Sequence, residues 1–145
     1  AIEMQQQLQL ETLEADAVIM AAAVADWRPE NPSNVKVKKG TSDKWVVELT
    51  KNPDIIAGIK KDKLIKVGFA AESEDLIENA TYKITQKNLD FIVANNINEA
   101  NSGFGTDTNK VTIIHADRTL EKLPLMSKYE VGNAILDRVK TGFHN

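Results

Sequence analysis

Short apolar runs of β type alternate along the chain with longer polar stretches whose apolar residues recur at helical spacing. Residues 2–14 read as a helix. DAVIMAAA, Asp16–Ala23, is apolar without interruption, as expected for a strand covered on both faces in a parallel sheet. Asn31–Lys44 reads as a loop rich in Pro, Asn, Ser, Lys and Gly, with VKVKK inside it, and WVVEL, Trp45–Leu49, reads as a strand. At Asn52-Pro53-Asp54 a helix opens, with Asn at the N-cap, Pro in the first helical position and an acid next. KVGFAA (Lys66–Ala71) is a strand, Ser73 caps a helix running to Lys87, and DFIVAN (Asp90–Asn95) is a strand again. Beyond a loop over Asn101–Asn109, KVTIIHA and TLEKL pair as a hairpin around Asp117-Arg118. Ser127 and Glu130 form a capping box, with Met126 and Val131 as its hydrophobic staple, for a last helix to Lys140. This alternation predicts an open α/β sheet, in which ligands sit outside the carboxyl ends of the strands.

Composition narrows the function more than the fold. A chain of 145 residues suits one domain, and 42% hydrophobic with 27% charged residues is ordinary for a globular one. With no Cys there is no disulfide, thiolate zinc site or cysteine nucleophile, and 2 His leave little for a metal centre. The net charge of −3 repels nucleic acid and anionic membranes, so neither is expected as a partner and any anion must meet a local cluster of lysines. The longest apolar run, Ala17–Ala25, is far below the ~18 residues that span a bilayer. A soluble cytoplasmic protein is the expectation.

Four places carry candidate chemistry. Asp26 follows a buried strand, where a carboxylate reaches a ribose hydroxyl or a magnesium-bound water; a loop Asp capping a turn is the simpler reading. Alternation in VKVKK sets Lys36 and Lys38 on one face about 7 Å apart, with Val35 and Val37 on the other; lysines also protect sheet edges. The helix start Asn52-Pro53-Asp54-Ile55-Ile56 offers unpaired N–H groups to a phosphate, although Asp54 opposes an anion there. Lys83 and Lys87, four apart on one helix, suit an anion between them or simply offset the helix dipole. Phe69 reads as core before it reads as a base-stacking platform. His115 and His144 read as structural, and no metal ligand set is expected. Neither G-x-x-x-x-G-K-[ST] nor G-x-G-x-x-G occurs, which argues against a dinucleotide oxidoreductase.

Taken in order, AAAVADWRP, VKVKK, KNPDIIA, VGFAAE, KNLDFIVANNI, GFGTDTN and LPLMSKYEVGNAILDRV resemble the phosphopantothenoylcysteine synthetase family over essentially all 145 residues. The resemblance extends to the carboxyl-terminal half of the bifunctional bacterial proteins that join this synthetase to a flavin-dependent decarboxylase. It implies a Rossmann-like three-layer α/β/α sandwich with a mostly parallel sheet and a β-hairpin near the carboxyl terminus. It also implies a ligase that activates 4′-phosphopantothenate with CTP and Mg2+ as an acyl-cytidylate, then joins it to L-cysteine. FMN is implied only where a decarboxylase half is attached. The family's nucleotide contacts fall on Met20, Ala21, Ala22, Asp26, Lys36, Pro53, Asp54, Ile55, Ile56, Phe69, Lys83 and Lys87. Lys36, on a segment resembling a mobile flap, is the expected catalytic group. A homodimer is implied as well. Residues 1–145 are expected to form the synthetase domain without its first strand and Gly-rich turn, and so to bind nucleotide weakly or not at all alone and to turn over only with that part present. The alternative is a nucleotide-binding α/β module without catalysis by itself.

Overall fold

A computed structural model describes residues 1–38, 43–72, 75–96 and 105–143. In chain order the elements are α1 (Ile2–Glu11), β1 (Ala17–Met20), β2 (Trp27–Pro29), β3 (Leu49–Lys51), α2 (Ile55–Gly58), β4 (Ile65–Glu72) and α3 (Leu76–Lys87). There follow β5 (Phe91–Asn96), β6 (Thr108–Asn109), β7 (Val111–His115), β8 (Leu120–Lys122), β9 (Met126–Ser127) and α4 (Lys128–Gly142). The main sheet has the order β1-β4-β5-β7-β8. It is parallel over β1, β4 and β5, whereas β7 and β8 join antiparallel as the expected hairpin.

Strand alternation sorts the core into two layers. On one face Ile65, Val67, Phe91, Val93, Val111 and Ile113 pack against Val131, Ile135 and Val139 of α4. On the other, Ala70, Ile92, Ala94 and Ile114 pack against Ala80 and Ile84 of α3 and Ile56 of α2. Each strand feeds both layers because successive side chains point to opposite faces, and the result is the three-layer α/β/α sandwich.

Local chemistry sets the ends of these elements. Ser127 accepts a hydrogen bond from the Glu130 N–H while the Glu130 carboxylate accepts from the Ser127 N–H, which closes the capping box of α4. Met126 packs on the layer that contains Val131, as a staple should. At the hairpin, Asp117 accepts from the Thr119 N–H and hydroxyl, and Arg118 takes a left-handed φ of 71°. Asn88, also left-handed, ends α3 where expected.

Several expectations are corrected. The first helix stops at Glu11 rather than residue 14. β1 ends at Met20 and is the edge strand of the described sheet; Val18 is buried but Ile19 is 39% exposed, so the apolar run is not covered on both faces. Of WVVEL only Leu49 is in a strand, paired with Pro29, and Trp45, Val46 and Val47 are exposed. One further backbone bond runs from the Glu30 N–H to the Glu48 carbonyl, after which the β2 side of the ladder meets Pro32, which has no N–H to donate. Residues 35–38 form no strand and are exposed. The expected cap Ser73 lies outside the described residues, and α3 opens at Asp75. Among the described residues no helix is long and apolar enough to cross a membrane.

Candidate functional site

The chain leaving the carboxyl end of β1 and the chain entering α2 enclose a cleft of about 470 Å3. Its walls are Met20, Ala22, Val24, Ala25 and Asp26 from the first segment, Lys51 to Ile56 from the second, and Lys87 from the end of α3. Eight of the twelve expected contact positions are here: Met20, Ala22, Asp26, Pro53, Asp54, Ile55, Ile56 and Lys87. Distant segments meet because β2 and β3 pair in register, Trp27 with Lys51, which brings Asp26 beside Asn52. The Asn52 N–H donates to the Asp26 carbonyl at 2.7 Å.

Asn52 is the clamp between the two segments, and this explains why it does not cap the helix as expected. Its side-chain amide donates to the Ala25 carbonyl at 2.7 Å, and its oxygen accepts from Arg28 at 3.1 Å. The cap passes to Asp54, whose carboxylate accepts from the Ala57 N–H at 3.2 Å. Pro53 therefore precedes the cap instead of opening the helix. Asp54 also pairs with Lys87 at 3.0 Å, so the tip of this four-residue helix already holds a carboxylate. Asp26 is exposed, and its carboxylate has no side-chain partner among the described residues.

The remaining expected positions are not among the walls of this cleft. Ala21 is exposed beside its walls, and Lys36 sits in the exposed segment held by a hydrogen bond from the Ser33 hydroxyl to the Val35 carbonyl. Lys83 is one helical turn before Lys87, on the same side of α3. Phe69 pairs with Val93 and so shares the α4 side of the sheet; it is 38% exposed, neither core nor a wall of the cleft. The walls not singled out from the sequence are Val24, Ala25 and Lys51, and Asn52 was expected there only as part of the helix start. Lys51 enters the site through the pairing of Trp27 with Lys51, which the order of the residues does not show.

His115 is structural. Its Nε2 lies 2.6 Å from Glu121, its ring is 5.6 Å from that of Phe91, and Glu121 also accepts two hydrogen bonds from Arg138. His144 lies outside the described residues. No group of three or more His, Cys, Asp or Glu able to hold a metal ion occurs among the described residues. A larger hollow of about 620 Å3 at the amino end of α3, lined by Asp75, Glu78, Lys110 and Lys122 among others, contains none of the expected contact residues.

Fold and cleft together define an α/β domain with a cleft past the carboxyl end of a parallel strand. The chain matches the DNA/pantothenate metabolism flavoprotein C-terminal domain family over residues 1–143, and it belongs to that family. It is 43% identical over 127 residues to the Coenzyme A biosynthesis bifunctional protein CoaBC of Bacillus subtilis (strain 168), covering 86% of this chain and 31% of that protein. It is 40% identical over 134 residues to a Cysteine/Cysteine sulfinic acid decarboxylase of an unknown prokaryotic organism, covering 90% of this chain and 37% of that one. A crystal structure of the C-terminal domain of Coenzyme A biosynthesis bifunctional protein CoaBC superposes with a TM-score of 0.79 at 33% identity, over 99% of this chain and 63% of the other. The chain thus spans about a third of the length of the curated relatives it matches.

Proposed function

We propose that this domain takes part in coenzyme A biosynthesis as a CTP-dependent ligase that joins 4′-phosphopantothenate to L-cysteine. The observation that carries the reading is the convergence of Asp26, residues 53–56 and Lys87 on one cleft. The bifunctional relatives, whose names state coenzyme A biosynthesis, support its metabolic setting.

In the first step a carboxylate oxygen of phosphopantothenate attacks the α-phosphorus of CTP. The bond from that phosphorus to the bridging oxygen breaks, and pyrophosphate leaves. In the second step the amine of cysteine attacks the acyl carbon, CMP leaves with the shared oxygen, and the amine gives up a proton as the amide forms. Lys87 and Lys51 on the walls, with Lys83 a turn away, supply the field for a triphosphate. Each lysine within about 4 Å of a phosphate is worth roughly 4 kcal/mol at intermediate dielectric before desolvation is subtracted. The Asp54–Lys87 pair does not obstruct this. Its side chains are 32% and 46% exposed, and pairs so exposed hold about 0–1 kcal/mol, so Lys87 can exchange Asp54 for phosphate. Magnesium enters with the nucleotide; the unengaged Asp26 suits one position on an ion otherwise held by phosphate and water.

Lys36 is the proposed catalytic group, stabilising charge on the α-phosphate from a segment that must close over the cleft to reach it. Lys36→Gln is expected to lower amide formation by about 10²- to 10³-fold while CTP binding persists. Because Lys36 lies apart from the cleft walls, the alternative of a binding module without chemistry keeps its place. That alternative is favoured if CTP binds but neither protein yields an amide product when the family's first strand and Gly-rich turn are supplied, and unaltered turnover in Lys36→Gln removes this lysine from the mechanism. A homodimer accompanies the reading, supported by exposed Trp27 and Leu49 on the β2–β3 ribbon and exposed Trp45, Val46 and Val47 in the connection between its strands. Sedimentation at a single-chain mass at micromolar concentration would exclude it.

A further inference from the structure

Lys66 occupies a position where β4 calls for an apolar side chain. It is 5% exposed, on the sheet face it shares with Gly68 and Ala70. An ammonium so placed needs partners, since burying a charge without them is strongly unfavourable. Among the described residues it forms no ion pair. Its Nζ donates instead to two backbone carbonyls, Ile59 at 3.4 Å and Lys87 at 3.3 Å. Ile59 is the C-cap of α2 and Lys87 is the last residue of α3. Both carbonyls belong to helix ends, where backbone oxygens lack intrahelical donors and the dipole is negative. The backbone of Lys66 is held as well, its N–H donating to the Asp90 carboxylate at 2.6 Å and its carbonyl accepting from the Asp90 N–H at 2.9 Å. Burial pushes the ammonium below the ordinary lysine range; Lys60 adds to this and Asp90 opposes it.

The same two helices meet a second time at the cleft, where the Lys87 side chain reaches the α2 cap Asp54 at 3.0 Å. The contacts form a closed ring: Lys66 to Ile59, along α2 to Asp54, across to the Lys87 ammonium, and through the Lys87 carbonyl back to Lys66. We infer that Lys66 is a positioning residue that ties the carboxyl ends of α2 and α3 together and so sets the placement of Asp54 and Lys87 for a nucleoside triphosphate. The ligand rests on the function proposed above; the ring of contacts does not.

The test compares the full chain with Lys66→Met, Lys66→Arg, Lys87→Met and the double variant Lys66→Met/Lys87→Met. Calorimetric titration with CTP and magnesium gives affinity, and amide hydrogen exchange without nucleotide reports residues 54–59 and 84–88. Lys66→Met is expected to weaken CTP by about tenfold, with Lys66→Arg recovering most of the loss, and to cost little further in the Lys87→Met background, because residues acting as a unit are not additive. Exchange should quicken at both helix ends together. Should Lys66→Met fail to fold, Lys66→Gln, which keeps a donor on a shorter arm, carries the same comparison. The inference is overturned if affinity and both sets of amides stay as in the unaltered chain while only the melting temperature falls, or if the two losses simply add. If the unaltered chain binds no CTP, an outcome the functional reading allows for these residues alone, the exchange data decide the role of Lys66.

Discussion

Glu121 joins three elements through one carboxylate. From β8 it accepts from Arg138 of α4 at 2.7 and 3.1 Å and meets His115 of β7 at 2.6 Å. The Arg138 guanidinium is the main reason its carboxyl is held below the ordinary glutamate range; burial opposes the shift, and the hydrogen bond from His115 adds to it. A carboxylate with a lowered folded-state pKa contributes stability above its unfolded value of 4.5, and that contribution fades as pH falls below 4.5 through the folded value. Glu121→Gln is therefore expected to destabilise at pH 7 by at most about 1 kcal/mol, discounted because the side chain is 36% exposed. Thermal melts should show the gap between the two proteins narrowing as pH falls below 4.5, and a gap independent of pH would contradict the assignment. The charge and type of such residues were plain in the sequence. Their partners were not, because His115, Glu121 and Arg138 are brought together by the β7–β8 register and the docking of α4.

The elements themselves show the same division. The capping box at Ser127, the Asp117-Arg118 turn and the apolar strands β4, β5 and β7 were legible because each depends on neighbours within a few residues or on simple alternation. The cap of α2 was misread because Asn52 is recruited by Ala25 and Arg28, which are 27 and 24 residues away. Gly68 is likewise a matter of contact between elements. A Cβ there would meet Cδ1 of Leu89 at 2.6 Å and Cγ1 of Ile92 at 3.6 Å, both on buried residues between β4, α3 and β5. Gly68→Ala is expected to lower stability by about 1–3 kcal/mol in urea unfolding, as overpacking does. Gly132→Ala, with nothing within 4 Å, serves as the control and should not destabilise.

Across the domain, the two core layers give the most general expectation. Ile113 and Ile114 are adjacent and fully buried, yet the first faces α4 and the second α3. Ile113→Ala should cost about 2–5 kcal/mol, a large share of the total for a domain of this size. Because Met20 and Ile56 of the cleft pack with the α3 layer, the folded Ile113→Ala protein should retain its CTP affinity, which titration would check. Strand alternation and local caps were enough to specify an open α/β sheet of about this element order, since those properties act over a few residues. Which strand lies at the edge, why Trp45 to Val47 stay outside the sheet, that Phe69 is turned from the cleft, and that Lys66 and Lys51 flank its supports all depend on which segments meet. Long-range pairing and helix docking settle those matters, because hydrogen-bond register and charge contacts between separate elements have no signature in the order of the residues alone.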